Sequence, residues 1–180
     1  MGCFGDGGAL VTNNYDIFNR SHQLHDQGRD VNGELKSWGR NSRLDSIQAA
    51  VLDVKLKYLD KNNIKRRNVA DKYFELLKDL KEIELPKIED YCVPVYHLFV
   101  IKTNKRDELQ KYLKEKEIDT IIHYPISVPE LTCIKDNIVD NDLNISIKNS
   151  KRILSLPMYP ELKENEIEYV CENIIHFFNI

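Results

Sequence analysis

The chain has 180 residues, which is enough for one or two compact domains with a proper core. Its 26 basic and 29 acidic side chains give a net charge of −3, which argues against nucleic acid or an anionic membrane as the main partner. The four cysteines are scattered and the histidines do not cluster, so the sequence predicts reduced thiols in the cytoplasm rather than a zinc site or a disulfide framework.

The chain opens with a glycine-rich segment, Gly5-Asp6-Gly7-Gly8. A phosphate-binding glycine loop should follow a strand and open a helix, and this segment does neither. We predict a strand over residues 9–12 and a short helix over residues 15–27 that stops at Gly28, followed by a polar loop over residues 31–40.

A long helix is predicted next, because apolar side chains recur at helical spacing at Leu44, Ile47, Val51, Val54 and Tyr58. We expect Ser42 to cap this helix, with Asp45 in its first turn. The pattern predicts a bend around residues 62–63 and a continuation to Leu80. The basic cluster Lys61, Lys65, Arg66 and Arg67 is expected to form a solvated helix face rather than a ligand site.

Asn41 and Arg43 would then lie at the positive end of a long helix, with an amide and a guanidinium free to reach outward. Such a position suits an anion, most often a phosphate. The alternative is that the two side chains only complete the helix start. Capping patterns are common, so the residues alone leave both interpretations open.

The second half alternates strands and helices, which predicts a small α/β or α+β layer domain. After a proline-bounded linker over residues 86–94, we predict a strand at 95–103, a helix at 105–117 and a second strand at 119–124. A surface loop at 136–144 and helices at 145–154 and 164–178 follow.

Six motifs in one order carry a family resemblance. They are Gly5-Asp6-Gly7-Gly8, Gly28-Arg29-Asp30, Asn41-Ser42-Arg43-Leu44-Asp45 with Gln48-Ala49-Ala50, Tyr96-His97-Leu98, His123-Tyr124-Pro125, and Leu156-Pro157-Met158-Tyr159-Pro160-Glu161-Leu162. Together they resemble the DegT/StrS family of nucleotide-sugar aminotransferases, which are fold-type I pyridoxal phosphate (PLP) enzymes. The resemblance spans nearly the whole chain.

This resemblance implies an α/β fold class, namely the C-terminal part of a fold-type I PLP transferase. Residues 1–60 would be the remnant of the large PLP-binding domain, and residues 61–94 the connecting helix and linker. Residues 95–180 would form the small C-terminal domain. The implied reaction converts a keto nucleotide-sugar to an amino sugar with an amino-acid donor, glutamate by expectation, and the full-length family members are homodimers.

The resemblance also implies roles for individual residues. Asn41 would reach the cofactor phosphate of the neighbouring subunit, with Arg43 close to the same pocket. His123 or Tyr124 would contact the sugar nucleotide, and Arg29 would hold a phosphate or simply pair with Asp30. His97 is expected to serve packing, and the residues alone also permit a purely structural His123.

The sequence departs from the family pattern at the catalytic lysine. In the family this lysine stands just upstream of Gly-Asp-Gly-Gly. That place precedes Met1, and Lys36, Lys55 and Lys57 do not occupy it. We therefore expect no catalytic residue here, no covalent PLP on this chain alone, and no activity in isolation. Two alternatives remain, namely half of a split enzyme completed by an upstream chain, or a non-catalytic module that binds sugar nucleotides.

Overall fold

The computed structural model describes residues 2–134 and 143–179. The chain divides into two compact units, residues 1–60 and residues 61–180. The predicted surface loop at 136–144 lies almost wholly outside the described residues. Among the helices that are described, none has the length and apolar character needed to cross a membrane.

The first unit contains two helices, α1 (Tyr15–His25) and α2 (Ser46–Leu56). Asn14 caps α1, because its side-chain oxygen accepts from the backbone N–H groups of Asp16 and Ile17 at 2.9 and 3.1 Å. The helix ends where the chain turns left-handed at Gln27 (φ 59°) and Gly28 (φ 91°). The predicted helix is confirmed, although it ends at His25, three residues before Gly28.

Three predictions for the first unit are wrong. Residues 9–12 form no strand, because no described segment pairs with their backbone. Ser42 caps no helix, since α2 begins four residues later with Asp45 at its N-cap, and the N–H of Ser42 donates instead to the carbonyl of His25 at 2.9 Å. The helix break falls at residues 57–58 rather than at 62–63.

The second unit begins within α3 and alternates helices with two short strands. Its elements are α3 (Leu59–Leu77), β1 (Phe99–Lys102), α4 (Arg106–Glu115), a 3₁₀ turn (Val128–Glu130), α5 (Asn144–Ser150), β2 (Ile153–Leu156) and α6 (Glu164–Asn179). The strands pair antiparallel, with Phe99 opposite Leu156 and Lys102 opposite Ile153. The predicted helix over 105–117, the predicted strand over 95–103 and the closing helix are confirmed in type, with shorter bounds for the first two.

Two predictions for the second unit need correction. The predicted strand at 119–124 makes only a single bridge, from Ile121 to Ser155. The predicted helix at 145–154 ends at Ser150, and its last residues belong to β2. The second difference has a physical cause, since Leu154 and Leu156 bury completely or nearly so when they pair with β1.

One hydrophobic core unites α3, both strands, α4 and α6. Its fully buried or nearly fully buried side chains include Val69, Tyr73, Leu77, Phe99, Ile101, Leu109, Leu113, Leu154, Leu156, Ile167, Val170 and Ile174. Because α3 supplies part of this core, residues 61–94 pack with the second unit. Burial also raises the pKa of the Cys171 thiol to about 12, so this cysteine stays protonated near neutral pH.

Two members of the predicted solvated cluster, Arg66 and Arg67, are half-buried rather than fully exposed. Arg66 is half-buried, and its guanidinium donates to the backbone carbonyls of Tyr96, His97 and Met158 at 3.4, 3.4 and 3.0 Å. Lys61 and Lys65 are exposed as expected. Arg66 therefore ties α3 to the segment before β1 and to the loop after β2.

Leu77→Ala should destabilise the chain by about 2–5 kcal/mol, because Leu77 is fully buried and its removal leaves a cavity. The matched control is Leu10→Ala, since Leu10 is 61% exposed and should change the free energy of unfolding by less than about 0.5 kcal/mol. Urea unfolding of both variants measures the difference. Equal losses would contradict the core assignment.

Candidate functional site

Asn41 is positioned by the end of α1 rather than by the start of α2. The N–H of Arg40 donates to Leu24 O at 2.7 Å, and its carbonyl accepts from Gln27 at 2.9 Å. The N–H of Ser42 completes the attachment at His25 O. Residues on both sides of Asn41 are thus bonded through the backbone, and α2 begins only downstream at Ser46.

Two glycines permit this close approach. A Cβ on Gly28 would lie 1.7 Å from the carbonyl oxygen of Ser37, and Gly28 has a positive φ as well. A Cβ on Gly39 would lie 2.3 Å from the backbone nitrogen of Gly28. Any larger side chain at either position would separate residues 37–39 from the end of α1, and Asn41 would move with them.

Asn41 and Arg43 contact each other directly. Arg43 Nε donates to Asn41 Oδ1 at 3.2 Å, and a second guanidinium nitrogen lies 3.5 Å from Asp26 Oδ1. A guanidinium can only donate, so the amide oxygen of Asn41 faces it. The Nδ2 group of Asn41 has no partner among the residues that the structure describes and remains available to donate.

Arg43 also lines a cleft of about 710 Å³, which we call the glycine cleft. Its walls are residues 5–10 on one side and residues 42–45 with Gln48 on the other. Gln48 joins the two sides, because its Oε1 accepts from the backbone N–H groups of Phe4 and Gly5 at 2.8 and 3.2 Å. Asn41 is not among the lining residues.

The polar groups of the glycine cleft include one cation, two carboxylates and backbone donors. Arg43 supplies a cation, and the backbone N–H groups of Gly7 and Gly8 have no partner within the described residues. The lining contains no lysine, although Asp6 and Asp45 add two carboxylates.

The three lysines of the first unit are all engaged outside the glycine cleft. Lys36 pairs with Glu34, while Lys57 lies 3.3 Å from Asp53. Lys55 Nζ donates to the carbonyl of Gly2 at 2.6 Å. None of them lines the glycine cleft.

Arg29 lies away from the glycine cleft and is exposed. No ion pair joins Arg29 to Asp30 within the described residues, so the expected pairing of these two side chains is not observed. Asp30 instead accepts from the N–H groups of Asn32 and Glu34 at 2.9 and 3.0 Å. The bond from the Glu34 backbone is the main cause that lowers the pKa of Asp30.

His123 and Tyr124 belong to the second unit, where they differ in exposure. His123 is half-buried, and its Nδ1 lies 2.9 Å from Ser155 Oγ. Tyr124 is 73% exposed. His97 is also exposed and precedes β1, so it does not pack inside a strand as expected.

Sequence reasoning missed three residues that organise these sites. Asp26 pairs with Arg43, Gln48 holds the glycine segment, and Ser155 contacts His123. Two of them left a signal, because Gln48 stands in the motif Gln48-Ala49-Ala50 and Ser155 is a polar residue inside the apolar run that forms β2.

Comparison with known proteins shows which family this chain belongs to. The family described as the DegT/DnrJ/EryC1/StrS aminotransferase family matches residues 1–175. The chain belongs to this family. A curated relative, the dTDP-3-amino-3,6-dideoxy-alpha-D-galactopyranose transaminase of Aneurinibacillus thermoaerophilus, is 38% identical over 93% of this chain and 46% of its own length.

Solved structures of family members have the same fold. The S. venezuelae protein DesV, in complex with a ketimine intermediate, is 34% identical and matches with a TM-score of 0.89 over 97% of this chain and 47% of DesV. The NtdA protein of Bacillus subtilis, with bound cofactor PMP, is 29% identical with a TM-score of 0.83 over 94% of this chain and 41% of NtdA. The chain thus has the α/β fold of the C-terminal part of a fold-type I transferase, and it spans about half the length of these proteins.

Gln48→Ala should release the glycine segment from α2, because the variant removes the acceptor of two backbone N–H groups. Hydrogen exchange at Phe4 and Gly5 should accelerate by about 2- to 12-fold, the equivalent of one net hydrogen bond. Gln110→Ala is the matched control, since Gln110 bonds only to Thr120 O in the second unit. Unchanged exchange at Phe4 and Gly5 would show that Gln48 does not hold the segment.

Proposed function

We propose that the chain supplies the C-terminal half of a PLP-dependent transaminase that converts a keto nucleotide-sugar to an amino sugar, with glutamate as the amino donor. The observation that carries this proposal is the family match over residues 1–175, together with the paired donors Asn41 and Arg43. The curated A. thermoaerophilus relative is named for a 3-amino sugar linked to dTDP. This name favours a 3-keto nucleotide-sugar in amino-sugar biosynthesis for a polysaccharide or glycoconjugate.

In this proposal, the first unit binds the cofactor phosphate. Asn41 donates through Nδ2, while Arg43 contributes charge and keeps the amide oxygen of Asn41 turned away from the phosphate. When bound, PLP supplies the electron sink that lets an amino group move between donor and sugar. In a homodimer, Asn41 would serve the cofactor of the neighbouring subunit, as the family resemblance implies.

The second unit would hold the sugar nucleotide through His123 and Tyr124. A half-buried imidazole and an exposed phenol can both hydrogen-bond hydroxyl or phosphate oxygens. Arg29, which belongs to the first unit, is the third proposed substrate contact, because its guanidinium is exposed and does not pair with Asp30. A bidentate contact to a diphosphate would suit it.

The covalent lysine would come from protein outside these 180 residues, either the rest of a longer chain or a separate upstream chain. The engagement of all three lysines of the first unit supports this part of the proposal. Exposed apolar side chains support it too, because Leu35 is 72% and Trp38 94% exposed. Surfaces of this kind are usually covered by other protein.

The chain alone, supplied with PLP, glutamate and a dTDP-linked 3-keto sugar, should form no amino sugar. Co-expression with the N-terminal half of the A. thermoaerophilus relative should give the aminated nucleotide-sugar, detected by mass spectrometry. The control is the same N-terminal half carrying a Lys→Ala change at its covalent lysine, which should be inactive. Turnover by the chain alone would overturn the placement of the lysine outside it.

Asn41→Ala in the assembled protein should weaken PLP binding by roughly 10- to 150-fold, which is the loss of one hydrogen bond to a charged phosphate. The melting temperature should change little, because α2 begins downstream at Ser46. Asn13→Ala is the matched control, since Asn13 is exposed and its side chain bonds to no described residue. An unchanged dissociation constant with a lowered melting temperature would make Asn41 structural.

A further inference from the structure

The segment that carries His123 is hydrogen-bonded to Ser155. Ser155 lies on β2, opposite Val100, and is only 4% exposed. Its N–H donates to Ile121 O at 2.8 Å, and its carbonyl accepts from Ile121 N at 3.2 Å. The backbone of Ser155 therefore fixes the position of the chain two residues before His123.

The side chain of Ser155 contacts the same segment a third time. Its Oγ lies 2.9 Å from His123 Nδ1, whereas Nε2 of this ring has no partner within residues 2–134 and 143–179. Two backbone bonds fix where the segment runs, but they leave the imidazole free to rotate about its side-chain bonds. The hydroxyl removes that freedom.

The hydroxyl of Ser155 is buried and has no other bond among the described residues. Leu154 and Leu156 flank Ser155 along β2, but their side chains point to the opposite face of the strand, and all three residues are buried. A buried hydroxyl costs free energy unless it is hydrogen-bonded, so its contact with His123 offsets that cost.

We propose that Ser155 is a positioning residue for His123. Its hydroxyl holds the ring in one orientation and one tautomer, because the partner of one ring nitrogen decides the state of the other. Nε2 is then presented to a hydroxyl or phosphate oxygen of the nucleotide-sugar. This last step rests on the proposed function, whereas the contact between Ser155 and His123 does not.

The positioning can be tested in the 180-residue chain without any substrate. Ring ¹⁵N spectra of His123, assigned by the signal lost in His123→Gln, should show two well-separated shifts that correspond to one tautomer. Ser155→Ala should move both shifts toward the average of a freely exchanging imidazole, and Ser155→Thr should restore them. Ser150→Ala is the matched control, because Ser150 is equally buried and its hydroxyl donates to Ile147 O instead.

An unchanged His123 spectrum in Ser155→Ala would overturn the proposal, as would an equal change in Ser150→Ala. Ser155→Thr keeps the test valid if the alanine variant does not fold, because in Thr the hydroxyl remains and the ring should keep its single tautomer. A folded threonine variant with averaged shifts would also overturn it.

Kinetics of the assembled transaminase test the contact with substrate separately. Ser155→Ala should raise KM for the keto nucleotide-sugar by about three- to tenfold with kcat little changed, since one neutral hydrogen bond is at stake. Ser155→Thr should return KM toward the wild-type value. A disordered ring with an unchanged KM would overturn His123 as a substrate contact, while the spectra would still support Ser155 as its positioning residue.

Discussion

The antiparallel pairing of β1 with β2 is the interaction on which the second unit depends. Four residues on each strand suffice, because the register brings Phe99 opposite Leu156 and Ile101 opposite Leu154, and all four side chains are buried. The same pairing fixes Ser155 and, through it, the segment that leads to His123. Core packing and the proposed substrate contact therefore share one strand.

Charged side chains secure the end of this sheet. Glu84 exchanges two backbone bonds with Lys102 at 2.8 and 3.0 Å, and its carboxylate accepts from Arg152 at 2.6 Å. The hydrogen bond from Arg152 lowers the pKa of the Glu84 carboxyl. This contribution is present above the unfolded pKa and is lost as the pH falls through the folded pKa. It is small because the Glu84 side chain is 53% exposed and solvent screens its charge.

The first unit is organised differently, since no residue of α1 or α2 is buried. Backbone bonds from residues 40–42 to the end of α1, and the clamp of Gln48 on the glycine segment, supply its order instead. Gly28 and Gly39 make this possible because neither position has room for a Cβ. The proposed phosphate donors are thus held by tight backbone contacts, which keep Asn41 and Arg43 together without a core beneath them.

The sequence by itself determined the family, the α/β class and the helices with strong apolar patterns. Six ordered motifs were enough for the family, and the stripe of Ile167, Val170 and Ile174 was enough for α6, because helical periodicity is a local property. It also predicted that Asn41 and Arg43 donate to a phosphate. Their contact with each other was not foreseen, since it depends on side-chain directions.

Only the tertiary structure decided which apolar segments became strands and which side chains met. Residues 9–12 have strand-like composition but no pairing partner among the described residues. Ile153 and Leu154 were predicted to end a helix, but they pair with β1 instead. Ser42 likewise had the composition of a cap, yet its backbone bonds to α1 and its hydroxyl caps nothing. Strand pairing and contacts such as that of Ser155 with His123 join residues distant in sequence, and local composition does not encode them.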